Sequence, residues 1–152
     1  MPPKLTFRIV GGFCFRTRAI GFLEGEGWLD AGTRFDGLDA KEQEALRNRI
    51  DHWLDRAVFK KYHHGFNAPQ HRKCYVFKLQ THRFYGFLCN PNPESDRAFE
   101  LCVLTSHVDK YQFATEPKCL NRTMQLLEDM RSKEAISTIY PEYHKRKKIW
   151  TN

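Results

Sequence analysis

The alternation of apolar and polar positions predicts an antiparallel hairpin over residues 74–89, Cys-Tyr-Val-Phe-Lys-Leu-Gln-Thr-His-Arg-Phe-Tyr-Gly-Phe-Leu-Cys. Aromatic and β-branched residues dominate this stretch, and neither proline nor a helical period interrupts it. A two-residue turn at positions 81–82 places Leu79 opposite Phe84. A longer turn of the same parity keeps the same sorting of side chains between faces, whereas a one-residue slip reverses one strand.

This register divides the hairpin into two faces of different chemistry. One face is apolar and is predicted to join the core; it carries Tyr75, Phe77, Leu79, Phe84 and Leu88. The other face carries Val76, Lys78, Gln80, Arg83, Tyr85 and Phe87. A lysine, an arginine and a phenol are therefore expected within a few ångströms of each other on the second face.

Helical periodicity predicts two helices, one before and one after the hairpin. The first covers residues 39–59, where Asp39 and Glu42 form a capping-box pattern. Its apolar stripe consists of Leu46, Ile50, Trp53, Leu54, Ala57 and Val58. The second begins at Thr115-Glu116-Pro117 and continues with apolar residues at helical spacing, namely Leu120, Met124, Leu127 and Met130.

Further strands are predicted on either side of these elements. Residues 99–105 alternate with apolar residues on both sides, which is typical of a central strand. Residues 1–38 have strand-like content broken by glycine, and seven of the nine glycines lie between Gly11 and Gly37. These glycines follow no nucleotide-binding pattern, so they indicate turns and bulges in an irregular sheet edge.

The elements together predict an α+β fold with a small antiparallel sheet flanked by helices. We divide the chain into a glycine-rich N-terminal region at 1–38, a core at 39–131 and a basic tail at 132–152. At 152 residues and 41% hydrophobic composition, these regions are expected to form one domain with a substantial core.

The charge of the chain indicates an acidic partner. The formal net charge is +7 at pH 7 and the pI is about 9.3, as in proteins that bind nucleic acid, acidic proteins or anionic membranes. A soluble protein with a merely positive surface remains the alternative. The sequence shows neither a signal peptide nor a membrane-spanning apolar run. Five cysteines without a C-x-x-C pair are typical of a reducing compartment, so we expect a cytoplasmic location.

Two basic segments are candidates for binding RNA. Residues 60–73 form a loop, and the tail near Trp150 combines a basic run with aromatic residues. The candidate RNA-binding residues are Lys60, Lys61, Arg72, Lys73, His82, Tyr111, Lys145, Arg146, Lys147 and Lys148. A solvated loop and a solubilising tail are the alternatives. The histidines of the loop and Cys74 lack the spacing of paired zinc ligands, so we expect no metal and no cofactor.

The order of elements and two short motifs resemble the RelE/ParE superfamily of bacterial toxins. The motifs are Cys-Tyr-Val-Phe-Lys-Leu at 74–79 and Arg-Phe-Tyr at 83–85, within a helix, a hairpin, a third strand, a basic turn and a helix. RelE-like members have a Tyr-x-hydrophobic-Lys-Leu run and then an arginine that opens the next strand. The resemblance covers about residues 39–131. Val76 stands where the family commonly has a second lysine.

The resemblance implies cleavage of messenger RNA, usually on the ribosome, with the 2′-hydroxyl of the RNA as nucleophile and without a metal. It implies that Lys78 is the hairpin lysine and that Arg83 contacts the scissile phosphate. Lys110, or alternatively His107, matches the basic residue after the third strand. Tyr111 is the candidate match for the late catalytic tyrosine. A toxin also implies a cognate antitoxin protein that covers the active face.

The same residues make chemical sense independently of the resemblance. Transesterification at phosphorus needs a base, cationic charge on the phosphorane and an acid for the leaving oxygen. Arg83 has the fork geometry for phosphate oxygens, and His107 or His82 supplies an imidazole, the side chain whose unperturbed pKa suits proton transfer. Tyr85 is expected to position the substrate or stack on a base. The alternatives are a non-catalytic nucleic-acid- or protein-binding module on the same fold and a ParE-like gyrase inhibitor.

Overall fold

The computed structural model describes residues 3–12, 17–91, 93–94, 96–110, 117–137 and 139, which form a sheet with helices on both faces. The strands in this part of the chain are β1 Thr6–Gly12, β2 Arg18–Glu24, β3 His63–Gly65, β4 Cys74–Leu79, β5 His82–Cys89 and β6 Glu100–Asp109. The helices are α1 Ala31–Asp36, α2 Ala40–Leu54, α3 Pro117–Glu128 and α4 Met130–Ser137, and a 3-10 helix covers Pro69–His71.

The sheet has the order β1-β2-β6-β5-β4-β3, in which β2 and β6 are parallel and the other neighbours are antiparallel. The predicted α+β class is confirmed. The predicted small antiparallel sheet is wrong in its size and in one pairing, because both N-terminal strands join the same sheet and β2 runs parallel to β6. β6 lies between β2 and β5, so the central strand predicted at 99–105 is confirmed.

Helix α2 follows the sequence prediction at its start but ends earlier. Asp39 caps it: the Glu42 N–H donates to Asp39 Oδ1 at 2.8 Å, and the Asp39 N–H donates to Glu42 Oε1 at 3.2 Å. The helix ends at Leu54 because Arg56 adopts a left-handed conformation with φ of 65°. Val58, predicted in the apolar stripe, is therefore outside the helix and 85% exposed.

The capping box gives a first stability prediction. Replacing Asp39 by alanine is expected to lower the free energy of unfolding by about 1 kcal/mol, because the Glu42 N–H loses its acceptor at the helix start. Urea unfolding followed by circular dichroism measures this change. Asp39→Asn keeps an acceptor and serves as the control; if it destabilises as much as alanine, the cap is not the cause.

The hairpin turn lies one residue earlier than predicted, which moves the pairing register by two residues. β4 and β5 are joined by Gln80 and Thr81, and the observed pairs are Cys74 with Phe87, Tyr75 with Gly86, Val76 with Tyr85, Phe77 with Phe84, Lys78 with Arg83 and Leu79 with His82. The predicted register is wrong because Gln80 adopts a left-handed conformation with φ of 54°, which closes the turn at residues 80–81. Because side chains alternate with a period of two, a register shift of two residues keeps every side chain on its predicted face. The predicted division of the hairpin side chains between faces is therefore confirmed.

Two apolar layers cover the sheet. The first, which we call the α2 face, packs under α1 and α2 and includes Ile20, Phe22, Phe35, Leu46, Ile50, Trp53, Phe77, Leu79, Phe84 and Leu104. The second, the α3 face, packs under α3 and α4 and includes Val76, Tyr85, Phe87, Leu101, Val103, Leu120, Leu126 and Ile136. The apolar side of the hairpin is thus buried under α2, and the side that carries Lys78 and Arg83 faces the α3 layer.

A bulge in β6 lies opposite the centre of β5. Tyr85 pairs with Ser106 and Gly86 pairs with Leu104, so Thr105 is an extra residue without an opposite partner in β5. The Thr105 hydroxyl donates to the Tyr85 carbonyl at 3.1 Å. Because of this extra residue, the alternation of β6 changes phase in the middle of the strand.

The phase change decides which side chains of β6 meet the hairpin on each face. Beyond the bulge, His107 pairs with Phe84 and therefore lies on the α2 face, while Val108 pairs with Arg83 and lies on the α3 face. Asp109 pairs with His82, again on the α2 face. His107 was predicted in a turn after the third strand, and that prediction is wrong because β6 extends to Asp109.

The C-terminal helical region differs from the prediction in its buried stripe. The segment forms two helices, α3 and α4, and the buried residues of α3 are Leu120, Thr123 and Leu126. Met130, predicted in the apolar stripe, is 73% exposed. The predicted basic tail lies outside the described residues, apart from 132–137 and 139. Within the described part of the chain, every helix is too short or too polar to cross a bilayer.

Candidate functional site

Three cationic side chains meet at the turn end of the hairpin, and we call Lys78, Arg83 and Lys110 the hairpin cation cluster. Lys78 and Arg83 are directly opposed on neighbouring strands, so their side chains leave the sheet on the same face. The Lys110 N–H donates to the Thr81 carbonyl at 2.8 Å, which fixes the start of its side chain beside the turn. The structure thus brings together three residues that the sequence assigned to one site.

Burial and electrostatic repulsion within the cluster lower the pKa of both lysines. Burial, with repulsion from Arg83 and Lys110, lowers the pKa of Lys78 below its usual range. Burial and repulsion from Arg83 likewise lower the pKa of Lys110. The deprotonated amine is therefore more accessible at both positions than at an isolated surface lysine.

The charges of Lys78 and Arg83 are not neutralised within the described part of the chain. Arg83 Nη1 donates to the carbonyl oxygens of Gln80 at 2.6 Å and of His82 at 2.9 Å, which orients the guanidinium across the turn. Among the described residues, no carboxylate forms an ion pair with Lys78 or Arg83. Half-buried cations without a protein counter-ion favour an anionic ligand.

His64 belongs to the same surface although the sequence did not single it out. It pairs with Val76 across β3 and β4, so its ring lies on the α3 face next to Lys78. Burial lowers the pKa of His64; the bond from its Nδ1 to the Gly65 carbonyl at 2.7 Å opposes this, and repulsion from Lys78, Lys110 and Lys60 adds to it. This imidazole is therefore held largely neutral beside three ammonium groups.

Tyr85 does not belong to the site, contrary to the prediction. Its side chain is on the expected face, but the residue is only 1% exposed. It is buried among Val76, Cys74 and Leu120, with the ring of Phe66 6.4 Å away. Because α3 covers this part of the sheet, the phenol is out of reach of a base or phosphate at the surface.

His82 and His107 also lie apart from the cations, because they are on the opposite face. The nitrogens His82 Nδ1 and His107 Nε2 are 2.8 Å apart. Asp109 Oδ1 lies 3.5 Å from His82 Nδ1, and Glu42 Oε2 of α2 lies 3.3 Å from His82 Nε2. We call His82, His107 and Asp109 the histidine cluster. The assignment of either histidine to proton transfer beside Lys78 and Arg83 is therefore wrong, since the sheet separates them.

The other predicted RNA-binding residues are spread over the molecule. Lys60 and Lys61 are exposed in the connector before β3, and Lys60 is close enough to act on His64. Arg72 and Lys73 instead line a cavity of about 400 Å³ with Arg18, Arg56 and Arg97, at the opposite end of β4 from the hairpin turn. The remaining predicted residues, Tyr111, Lys145, Arg146, Lys147 and Lys148, lie outside the described residues.

Comparison with known proteins adds no assignment. No protein-family model, curated protein or solved structure matches this chain. The chemistry of the hairpin end is accordingly derived from its own residues: three cations and an imidazole on the α3 face, and two imidazoles with carboxylates on the α2 face.

Proposed function

We propose that this protein is a RelE-like endoribonuclease that binds the scissile phosphate of messenger RNA at the hairpin cation cluster and cleaves it without a metal. The observation that carries this proposal is the direct opposition of Lys78 and Arg83 on one face of the sheet end, with Lys110 beside them. A phosphodiester flanked by three cations gains charge-assisted hydrogen bonds. The net charge of +7 favours the same class of ligand.

The cluster supplies the groups that transesterification needs. Arg83 stays charged and stabilises the two negative charges that develop on the phosphorane. The lowered pKa of Lys78 and of Lys110 suits one amine to give a proton to the leaving 5′-oxygen. His64, neutral and on the same face, is the group placed to accept the proton of the 2′-hydroxyl. In this scheme His64 takes the role that the sequence gave to His107 or His82.

A partner protein follows from the same proposal. An endoribonuclease of this type needs an inhibitor while its messenger RNA targets are to be preserved. A cognate antitoxin with an acidic segment would neutralise Lys78 and Arg83 and exclude the phosphate.

A specific observation favours a second candidate, a non-catalytic RNA-binding module. Tyr85 is buried and His107 lies on the opposite face, so two of the predicted catalytic groups cannot reach a phosphate bound by Arg83. Such a module binds RNA through the same cations and leaves it intact. Both candidates require phosphate binding at the cluster, and they differ only in the chemical step.

The experiment measures binding and cleavage separately. Arg83→Ala and Lys78→Ala are each expected to weaken binding of a single-stranded RNA by about tenfold or more, because each removes a charge-assisted hydrogen bond. Fluorescence anisotropy across a salt series measures this loss, and each variant should reduce the salt dependence by about one phosphate contact. Lys133→Ala removes an equal charge on α4, where Lys133 pairs with Glu128 at 3.7 Å, and is the matched control.

Cleavage is tested with the same RNA and with a copy carrying 2′-deoxyriboses. We expect wild type to cut only the ribose form, and Arg83→Ala and His64→Gln to cut neither. Binding without cleavage by wild type, including on ribosomes, would establish the binding module instead. Equal binding by wild type, Arg83→Ala and Lys133→Ala would refute both candidates at this site.

A further inference from the structure

The histidine cluster on the α2 face has the composition of a metal site and lies apart from the RNA-binding cations. One ligand atom from each of His82, His107 and Asp109 lies within 4.8 Å of the other two. The three residues come from two adjacent strands, and the β6 bulge places two of them on the same face as His82. Two imidazoles and a carboxylate are a common ligand set for divalent transition metals.

The distances within the cluster fit one shared ion. Around a tetrahedral Zn²⁺ with bonds of about 2.0–2.1 Å, neighbouring ligand atoms are about 3.3 Å apart. His82 Nδ1 lies 3.5 Å from Asp109 Oδ1 and 2.8 Å from His107 Nε2, values on either side of that spacing. For these two pairs, changes of a few tenths of an ångström give the spacing of coordination, and the third pair of ligand atoms lies within 4.8 Å.

The surrounding groups form hydrogen bonds that orient the ligands, as residues around the ligands do in metalloproteins. Glu42 Oε2 accepts a hydrogen bond from His82 Nε2 at 3.3 Å, which leaves Nδ1 as the coordinating nitrogen of that ring. The other oxygen of Glu42 is held by the Asp39 N–H at the start of α2. The carboxylate of Asp30 accepts the backbone N–H of His107 at 2.9 Å and anchors that part of β6.

The cluster is preorganised on one side and open on the other. His107 is only 9% exposed, and its ring meets the edge of Phe84 with the centroids 4.9 Å apart. The side chain of Asp109 is 46% exposed, which leaves a route from solvent to the ligand atoms. Three protein ligands also leave a fourth position for water.

We infer that His82, His107 and Asp109 bind a divalent transition metal of the Zn²⁺ class, with Glu42 as the positioning residue. The inference differs from the expectation of no metal, which considered only the connector histidines and Cys74. It does not depend on the proposed RNA cleavage, because the ligands lie on the opposite side of the sheet from Arg83. The open position gives the ion a Lewis-acid site of its own.

A second histidine pair provides an internal control. His52 Nδ1 and His63 Nε2 are 3.0 Å apart, nearly the same as the pair in the cluster. There, however, the next group is the Tyr75 hydroxyl, 2.6 Å from His63 Nδ1, in place of a carboxylate. If close imidazoles alone sufficed to hold the ion, this pair would bind it as well.

The test is isothermal titration of the full chain, freed of metal by a chelator, with ZnCl₂, and a repeat with CoCl₂ read by visible absorbance. Wild type is expected to bind one ion with a dissociation constant of about 10 µM or below. His82→Gln and Asp109→Asn are each expected to weaken binding at least about tenfold, and Glu42→Gln by about tenfold. His52→Gln and Arg83→Ala should bind as wild type does.

The outcomes separate a built site from incidental binding. Loss in His82→Gln and Asp109→Asn with retention in His52→Gln supports the site, and circular dichroism confirms that the variants are folded. Failure of wild type to bind near one equivalent would overturn it. So would unchanged binding in the double variant of His82 and Asp109, which would place the ion elsewhere. Because Arg83→Ala tests the RNA proposal alone, either proposal can fail while the other holds.

Discussion

Replacing Gly86 by alanine is expected to destabilise the protein by about 3 kcal/mol or more, the largest effect expected for a single methyl group in this chain. A Cβ atom at Gly86 would lie 2.1 Å from the Val103 carbonyl oxygen and 2.8 Å from the Leu104 Cα. Both atoms are backbone of β6, so no side chain can move aside. The strands β5 and β6 would have to separate at the bulge, where their hydrogen bonds hold the centre of the sheet.

Urea unfolding followed by circular dichroism measures this effect. Gly27→Ala is the matched control, because a Cβ there meets no atom within 4 Å, and its effect should stay within about 0.5 kcal/mol. A Gly86→Ala midpoint close to that of Gly27→Ala would show that β5 and β6 do not approach as closely as described. The same variant should also lose metal binding, since the bulge positions His107 and Asp109.

Acidification from about pH 7 to about pH 4 is expected to remove about 3 kcal/mol of unfolding free energy through His63 alone. Burial lowers the pKa of His63 to about 4, and electrostatic interactions with His52, Arg18 and His64 act in the same direction. His63 is 2% exposed, and the Tyr75 hydroxyl lies 2.6 Å from His63 Nδ1. In the unfolded chain an ordinary histidine pKa near 6.5 applies.

The sign follows from the difference between the two states. Because the folded pKa lies below the unfolded one, only the unfolded chain takes up the proton as the pH falls below about 6.5. Stability therefore declines through this window and levels off, for this group, once the pH is below the folded pKa. Proton uptake by His63 itself would turn its accepting ring nitrogen into a donor and so remove the one hydrogen bond that this nitrogen accepts.

Two measurements check this expectation. The free energy of unfolding of wild type is compared with that of His63→Gln from about pH 7 to about pH 4, and the variant should lose about 3 kcal/mol less over the range. An NMR titration of the His63 ring supplies the pKa directly. A value near that of a free histidine would contradict the burial argument whatever the stability data show.

The parts of the fold that followed from sequence are those set by short-range patterns. The capping box of Asp39 and Glu42 and the 3.6-residue period located α2, because both signals act within one or two helical turns. Facial alternation sorted the hairpin side chains correctly. The hairpin register could not be predicted from the sequence, because it depends on the left-handed conformation of Gln80. Glutamine is not a residue type that indicates positive φ.

Strand parity predicted the part of the candidate site that lies on the hairpin, and the family resemblance pointed to Lys110. Lys78 and Arg83 come from adjacent strands with a two-residue turn, so strand parity alone puts them together. His64 lies beside them on β3, which a 3-10 helix separates from β4 along the chain. Glu42 of α2 contacts His82. Such contacts arise from tertiary packing, and no local spacing in the sequence reports them. The burial of Tyr85 likewise depends on where α3 crosses the sheet.

The additional residue in β6 has a consequence for how this protein can change. Because of it, the imidazoles and carboxylates lie on one side of the sheet, and the ammonium and guanidinium groups lie on the other. Acidic side chains close to the turn therefore leave the positive potential of the opposite surface largely uncancelled. Each surface can acquire or lose its own ligand by point substitution, whereas moving His107 and Asp109 to the side of the cations would require deleting a residue from the central strand.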